Sequence, residues 1–287
     1  MRQTHRTRLL GLVLAAACLA GCGGDGDAGG AGEPVILATT TSTQDSGLLD
    51  VLIPAFEREH GHQVKTIAVG SGEAIAMGAR GEADVVLAHS PAAEEELMAD
   101  GKGTSRRTVM HNDFVVVGPA ADPAQVKGKP VADALELIAA AKAPFISRGD
   151  DSGTHVFEVD LWEQAGRTPE GAWYQESGQG MGATLQIAND KAGYTITDRG
   201  TYLATDSARD LDVLVEGGSA LLNVYHVIDV AAAAGERVNA EGGTALADWL
   251  VAPAAQKEIG TFGVAEFGEP LFVSDAGKTD EQIRAED

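Results

Sequence analysis

From residue 34 onward the chain alternates short, β-branched apolar runs with longer stretches in which apolar positions recur every three or four residues. Those two periods predict strands interleaved with amphipathic helices, the pattern of an α/β fold with parallel strands. Residues 35–39 read as a strand, and 47–60 as a helix gathering Leu48, Leu49, Leu52, Ile53 and Phe56 on one face. Strands at 63–69, 83–88 and 114–118 alternate with helices at 73–80 and 92–99. A second region holds helices at 132–142, 155–165 and 182–190, with strands at 144–147 and 194–197. Residues 211–215 and 220–230 are strand-like, and 244–259 are helical.

No repeat of fixed period and no long linker interrupts this succession. Two α/β lobes of similar size, joined by more than one chain crossing, suit such continuity. The crossings are expected near 115–119 and 220–225. Lobe I then comprises 34–117 and 222–287, and lobe II, at 118–221, is an insertion within it.

The first residues stand apart from the fold. Arg2, Arg6 and Arg8 precede an apolar run at 9–19 that is too short for a permanent membrane span and reads as a signal peptide. Leu19-Ala20-Gly21-Cys22 then resembles the lipobox of bacterial lipoproteins, which makes 1–21 the leader and Cys22 the acylated residue. Residues 22–33 are a glycine-rich, flexible tether, as an anchored protein needs. The plainer alternative is an ordinary cleaved signal with Cys22 incidental.

Charge narrows the functions. Lys and Arg number 21 against 43 Asp and Glu, a formal net charge of −22, which argues against a nucleic-acid partner. The two cysteines form no CxxC pair, and one lies in the leader, so neither a disulfide framework nor a zinc ribbon is expected.

Chemistry concentrates where strands end and helices begin. The run Thr39-Thr40-Thr41-Ser42-Thr43 follows the first strand, so hydroxyls and backbone N–H groups gather at the sheet edge, as at an anion site. A helix N-cap alone needs one such residue. Gly70-Ser71-Gly72 repeats the arrangement after the second strand, with glycines that permit close approach and a hydroxyl donor. Between a later strand and helix stands Arg148-Gly149-Asp150-Asp151-Ser152-Gly153-Thr154-His155. There a permanent positive charge joins N–H and hydroxyl donors. Either aspartate could instead pair with Arg148, orienting it, or stand in solvent, and Ser152 or Thr154 could cap the helix.

These turns, with Gly180-Met181-Gly182-Ala183-Thr184-Leu185 and Tyr194-Thr195-Ile196-Thr197-Asp198-Arg199-Gly200-Thr201-Tyr202, resemble the tungstate-binding lipoproteins of the TupA type, the solute-binding components of ABC importers. The similarity runs in matching order to about Ile228. It implies a periplasmic-binding-protein fold of the second type, with an oxyanion held between two hinged lobes. It also implies that Thr40, Thr41, Ser42, Ser71, Arg148, Ser152, Gly153 and Thr154 line the cleft, with Gly180 and Met181 contributing from lobe II. An ABC permease is the implied partner, the membrane is reached through Cys22, and the protein is expected to act extracytoplasmically as a monomer. Two departures stand out: Ser71 occupies a position where the family often has Thr, and an alanine run follows Val230 where an Asn-Pro segment is expected.

Tungstate and molybdate are unprotonated tetrahedral dianions, so their ideal site offers donors only. Phosphate is the close alternative, since Asp150 or Asp151 could accept its proton. No cofactor and no metal site are expected, because the histidines show no ligand spacing. An enzyme using a hydroxyl nucleophile with His155 as base lacks any GxSxG elbow, so no catalytic residue is expected. A sensor that signals without transport is the remaining alternative. Gly178-Gln179-Gly180-Met181-Gly182-Ala183 fits a dinucleotide fingerprint only superficially, because no convincing strand precedes it directly. Thr195, Thr197 and the Asp198-Arg199 pair are either ligand contacts or an ordinary strand-to-helix turn. His60 and His62 read as an exposed loop pair, and Trp162, Trp173 and Trp249 as core or rim.

Overall fold

The computed structural model describes residues 33–205, 208 and 210–286. The leader, Cys22 and the tether at 22–32 lie outside them.

Lobe I begins with β1 (Val35–Thr40), which continues directly into a short helix, α1 (Thr41–Asp45), and then α2 (Leu48–His60). Next come β2 (Val64–Val69), α3 (Ser71–Ala79), β3 (Val85–Ala88) and α4 (Pro91–Ala99). β1 pairs in parallel with both β2 and β3. The apolar stripe predicted for α2 is buried at Leu48, Leu49, Leu52 and Phe56, against Val35, Leu37, Trp249 and Leu250. Burying side chains of this size stabilises by about 1.5–3 kcal/mol each.

The strand expected at 114–118 is much longer. β4 (Gly103–Pro119) runs through both lobes. Its first half pairs antiparallel with β9 (Leu222–Val230), and its second half pairs antiparallel with β7 (Thr195–Asp198) and β8 (Leu211–Val215). Hydrophobic patterning hides the first half because its side chains are charged. Arg106 pairs with buried Glu94 at 2.9 Å, and Arg107 pairs with Asp229 at 3.1 Å. Phe114, Val115, Val116 and Val117 pack in cores formed with residues of 124–221. The return crossing lies at Leu221 to Leu222, where Phe114 N–H donates to Leu221 C=O at 2.7 Å.

Lobe II contains α5 (Val131–Ala141), β5 (Phe145–Ser147), α6 (Gly153–Gln164), β6 (Tyr174–Glu176), α7 (Met181–Asp190) and α8 (Arg199–Ala204). β5 pairs in parallel with β6, and Phe145 bridges in parallel to Tyr194 just before β7. Parallel pairing is therefore confined to the outer strands, and the strands shared by the lobes are antiparallel. Trp162 is buried among Phe145, Trp173 and Tyr174. His60 and His62 are not a free loop pair, because both rings stack on Phe56.

After β9 the chain returns to lobe I through α9 (Ala240–Leu250), α10 (Pro253–Thr261), α11 (Val264–Phe267), β10 (Val273–Ser274) and α12 (Asp280–Glu286). The single helix expected at 244–259 is two. Pro253 lacks an N–H and occupies the first turn of α10, where none is needed, so the break falls at extended Ala252.

Candidate functional site

In the first hydroxyl-rich turn, capping and packing use part of the run. Thr39 donates to Leu87 C=O at 2.9 Å, tying β1 to β3. Thr40 caps α1, accepting from Thr43 N–H at 3.3 Å, and its hydroxyl lies 2.7 Å from that of Thr43 and 3.1 Å from that of Ser42. Ser42 is buried and Thr41 half-buried, both in the first turn of α1, where N–H groups have no intrahelical acceptor.

Gly70 precedes α3 in extended conformation with no side-chain cap. Ser71 follows, 1% exposed, and its hydroxyl has no hydrogen-bond partner among the described residues. This helix start meets α6 of the other lobe. A Cβ on Gly70 would lie 3.5 Å from Ser152 Cα, and one on Gly153 would lie 2.7 Å from Ser71 Oγ and 2.8 Å from His89 Cε1. The second and third turns thus face each other across the seam between the lobes.

Arg148 follows β5 and is 5% exposed. Its Nη2 donates to Asp150 at 2.5 Å, while its Nε has no partner among the described residues. Asp150 is the orienting aspartate: its other oxygen accepts from Ser152 N–H at 3.2 Å. Burial acts to raise the Asp150 pKa, but the Ser152 hydroxyl and the Arg148 charge outweigh it, holding the carboxyl below the ordinary aspartate range. The Asp151 side chain is fully exposed. Between Arg148 and Asp150, Gly149 takes φ +60°, and a Cβ there would strike Glu176. Ser152 caps α6 by accepting from His155 N–H at 3.3 Å, with Gly153 and buried Thr154 opening the helix.

α7 is hung on the same loop. Gly178 N–H donates to Arg148 C=O at 2.8 Å, and Ser177 Oγ donates to the same oxygen at 3.3 Å. Gly180 precedes α7 without a side-chain cap. The Met181 side chain packs into lobe II with Val115, Val117 and Ile146, so what it offers at the helix start is its N–H.

The field of Arg148 joins these turns. Burial raises the Asp45 carboxyl at the end of α1 and Arg148 counteracts it. Burial pushes His89 down to about 4; Glu94 opposes the shift and Arg148 adds to it. The His89 ring lies 4.7 Å from that of Tyr225 and 6.3 Å from that of Phe114.

Sequence reasoning missed a polar chain at the base of the cleft. Asp198 caps α8, accepting from Thr201 N–H at 2.8 Å and from the Asn112 amide at 3.3 Å. Asn223 donates to Asn112 at 2.8 Å and to the Tyr225 hydroxyl at 3.1 Å. Burial raises the pKa of that hydroxyl, which lies beside Ser42 and Thr43. Polar Asn223 and Tyr225 in a fully buried strand were the available signal.

Of the residues left open, Thr195, Thr197 and Arg199 are engaged within the protein. Thr195 Oγ1 donates to Ile146 C=O at 2.7 Å and Thr197 Oγ1 to Asp198 C=O at 3.1 Å. Arg199 grips Asp113 at 2.6 and 2.8 Å and reaches Glu216 at 2.7 Å. His155 Nδ1 accepts from Asp151 N–H at 3.0 Å. Among the described residues no cluster of His, Cys, Asp and Glu could hold a metal ion, and no helix is long and apolar enough to cross a membrane.

Two turns from each lobe therefore present helix N-termini and hydroxyls around one buried arginine, an arrangement suited to an anion. Residues 24–254 match the PBP superfamily domain. The tungstate-binding protein TupA of Peptoclostridium acidaminophilum is 49% identical over 247 residues, covering 85% of this chain and 86% of that protein. The structure of the tungstate-binding protein TupA from Desulfovibrio alaskensis gives a TM-score of 0.73 at 46% identity, covering 85% of this chain and 99% of that one. That of the tungstate ABC transporter from Geobacter sulfurreducens gives 0.73 at 46%, with 80% and 99% covered. With its fold, its turns and these relatives in agreement, the chain belongs to the PBP superfamily and, within it, to the TupA family of tungstate-binding proteins.

Proposed function

We propose that this protein is an extracytoplasmic receptor that captures tungstate between its lobes and delivers it to the permease of an ABC importer. The observation that carries this reading is a pair of buried donors, Ser71 Oγ and Arg148 Nε, that have no partner among the described residues. Leaving buried donors unpaired is costly, so a site that keeps them is built for an acceptor supplied from outside. A tetrahedral dianion supplies such acceptors on every side. Each charge-assisted bond to it contributes about 1.5–3 kcal/mol, so a few exceed the cost of ordering the lobes.

Molybdate, with nearly the same size and charge, fits the same donors. Phosphate is disfavoured, because Asp150 is engaged with Arg148 and Ser152 and Asp151 stands in solvent. Anchoring through acylated Cys22, action as a monomer and the absence of catalysis complete the proposal.

Parallel calorimetric titration with tungstate, molybdate, sulfate and phosphate tests it. Tungstate is expected to bind tightly with one ion per chain. A protein that takes phosphate in preference, or gives no heat with tungstate, ends this reading.

A further inference from the structure

Asp198 stands at the end of β7, opposite Phe114 of β4, where the chain passes from one lobe to the other. It is 1% exposed. Oδ1 accepts from Thr201 N–H and the Asn112 amide, while Oδ2 has no hydrogen-bond partner among the described residues. Through Asn112 and Asn223 its bonds lead to Tyr225, beside Ser42 and Thr43 of the first turn.

A carboxylate in this place would be badly served. It would keep one oxygen unpaired in a buried region and set a negative charge at the base of a cleft meant for a dianion. The charged and titratable groups that bear on it are Arg148, the Tyr225 hydroxyl and the neighbouring Arg199. Arg148 already pairs with Asp150, and Arg199 turns away to Asp113 and Glu216. Burial is the largest influence and raises the Asp198 pKa; Thr201, whose N–H donates to Oδ1, and the Arg148 charge oppose it without overcoming it.

We propose that Asp198 stands in the loaded cleft as a neutral carboxylic acid whose Oδ2–H is a hydrogen-bond donor, so that the site selects unprotonated dianions over hydrogenphosphate. The same oxygen, if ionised, would accept the proton of hydrogenphosphate and reverse that preference. The inference deepens the oxyanion reading above and rests on it.

Infrared spectra of the wild type differenced against Asp198→Asn, each recorded with and without tungstate, test the protonation. The C=O stretch of a neutral acid is expected in the wild type and is lost in Asp198→Asn; its absence from the wild type overturns the proposal. Calorimetry tests the donor. Asp198→Ala is expected to weaken tungstate binding at least tenfold, and Asp198→Asn, which restores an N–H donor, to recover most of that loss. An Asn variant no better than Ala, or wild-type protein binding phosphate as tightly as tungstate, also overturns it. Should the Ala variant fail to fold, the infrared band and the phosphate comparison still decide. A protein that shows the acid band but gives no heat with tungstate fails the oxyanion reading and not the protonation state, so the two failures are distinct.

Discussion

Gly153 and Ser71 meet across the cleft so closely that a methyl group on Gly153 would sit 2.7 Å from Ser71 Oγ. Nothing larger than hydrogen fits there while the lobes are together, and His89 Cε1 at 2.8 Å closes the other side. Gly153→Ala is therefore expected to hold the lobes apart. Tungstate affinity should fall at least tenfold, about 1.4 kcal/mol. Small-angle scattering should show that a tungstate-saturated variant stays more extended than the wild type; equal radii would refute the steric account.

Arg148 combines a fixed charge with a free Nε–H, and Asp150 holds it in place. Arg148→Lys keeps the charge but loses the fork, so affinity is expected to drop by roughly a hundredfold, close to 3 kcal/mol. Asp150→Asn disturbs only the orientation and should cost about tenfold less in affinity than the lysine change. Titration of folded variants, checked by circular dichroism, measures both. Equal losses would show that Asp150 does more than position the guanidinium.

His89 ties stability to pH. The unfolded chain protonates this histidine near 6.5, and burial delays protonation in the folded chain to about 4. Its contribution is complete above pH 6.5 and is lost as pH falls through about 4, at about 1.4 kcal/mol per unit and roughly 3 kcal/mol in all. Asp198, with its pKa raised, acts in the opposite sense: its contribution is complete below 3.8 and is lost as pH rises through its folded value. Urea unfolding of wild type and His89→Gln at pH 7 and pH 4.5 separates the two. The wild type should lose more stability on acidification than the variant; parallel losses would rule His89 out.

A chain of net charge −22 repels the ion it is proposed to capture. Exposed charges are screened beyond roughly 8 Å at physiological salt, whereas the buried Arg148 side is screened less. Tungstate association measured by stopped flow is expected to quicken as inert salt is added. Rates that fall would mean that the cleft steers its ligand from a distance.

Much of this architecture can be read from residue patterns, because β1, β2 and β3 bury apolar runs and α2 repeats its apolar stripe at helical spacing. The Arg148 loop is legible for a different reason, since a cation beside small donors at a strand-to-helix turn is a local signal. What escapes is made by distance. Asn112 meets residues 86 and 111 positions away, and no local pattern announces either contact. The first half of β4 escapes because Arg106 and Arg107 are neutralised by partners rather than buried as hydrocarbon, which erases the alternation that marks a half-buried strand.

One ribbon of backbone, β4, carries ladder hydrogen bonds in both sheets without a loop between them. Bending of the receptor must then be elastic flexure of a continuous strand at Asp113 and Phe114 rather than swinging on slack joints. Such a spring limits how far the two sides can part and returns them to the same alignment, so that Ser71 and Gly153, which face each other across the seam, meet again in register.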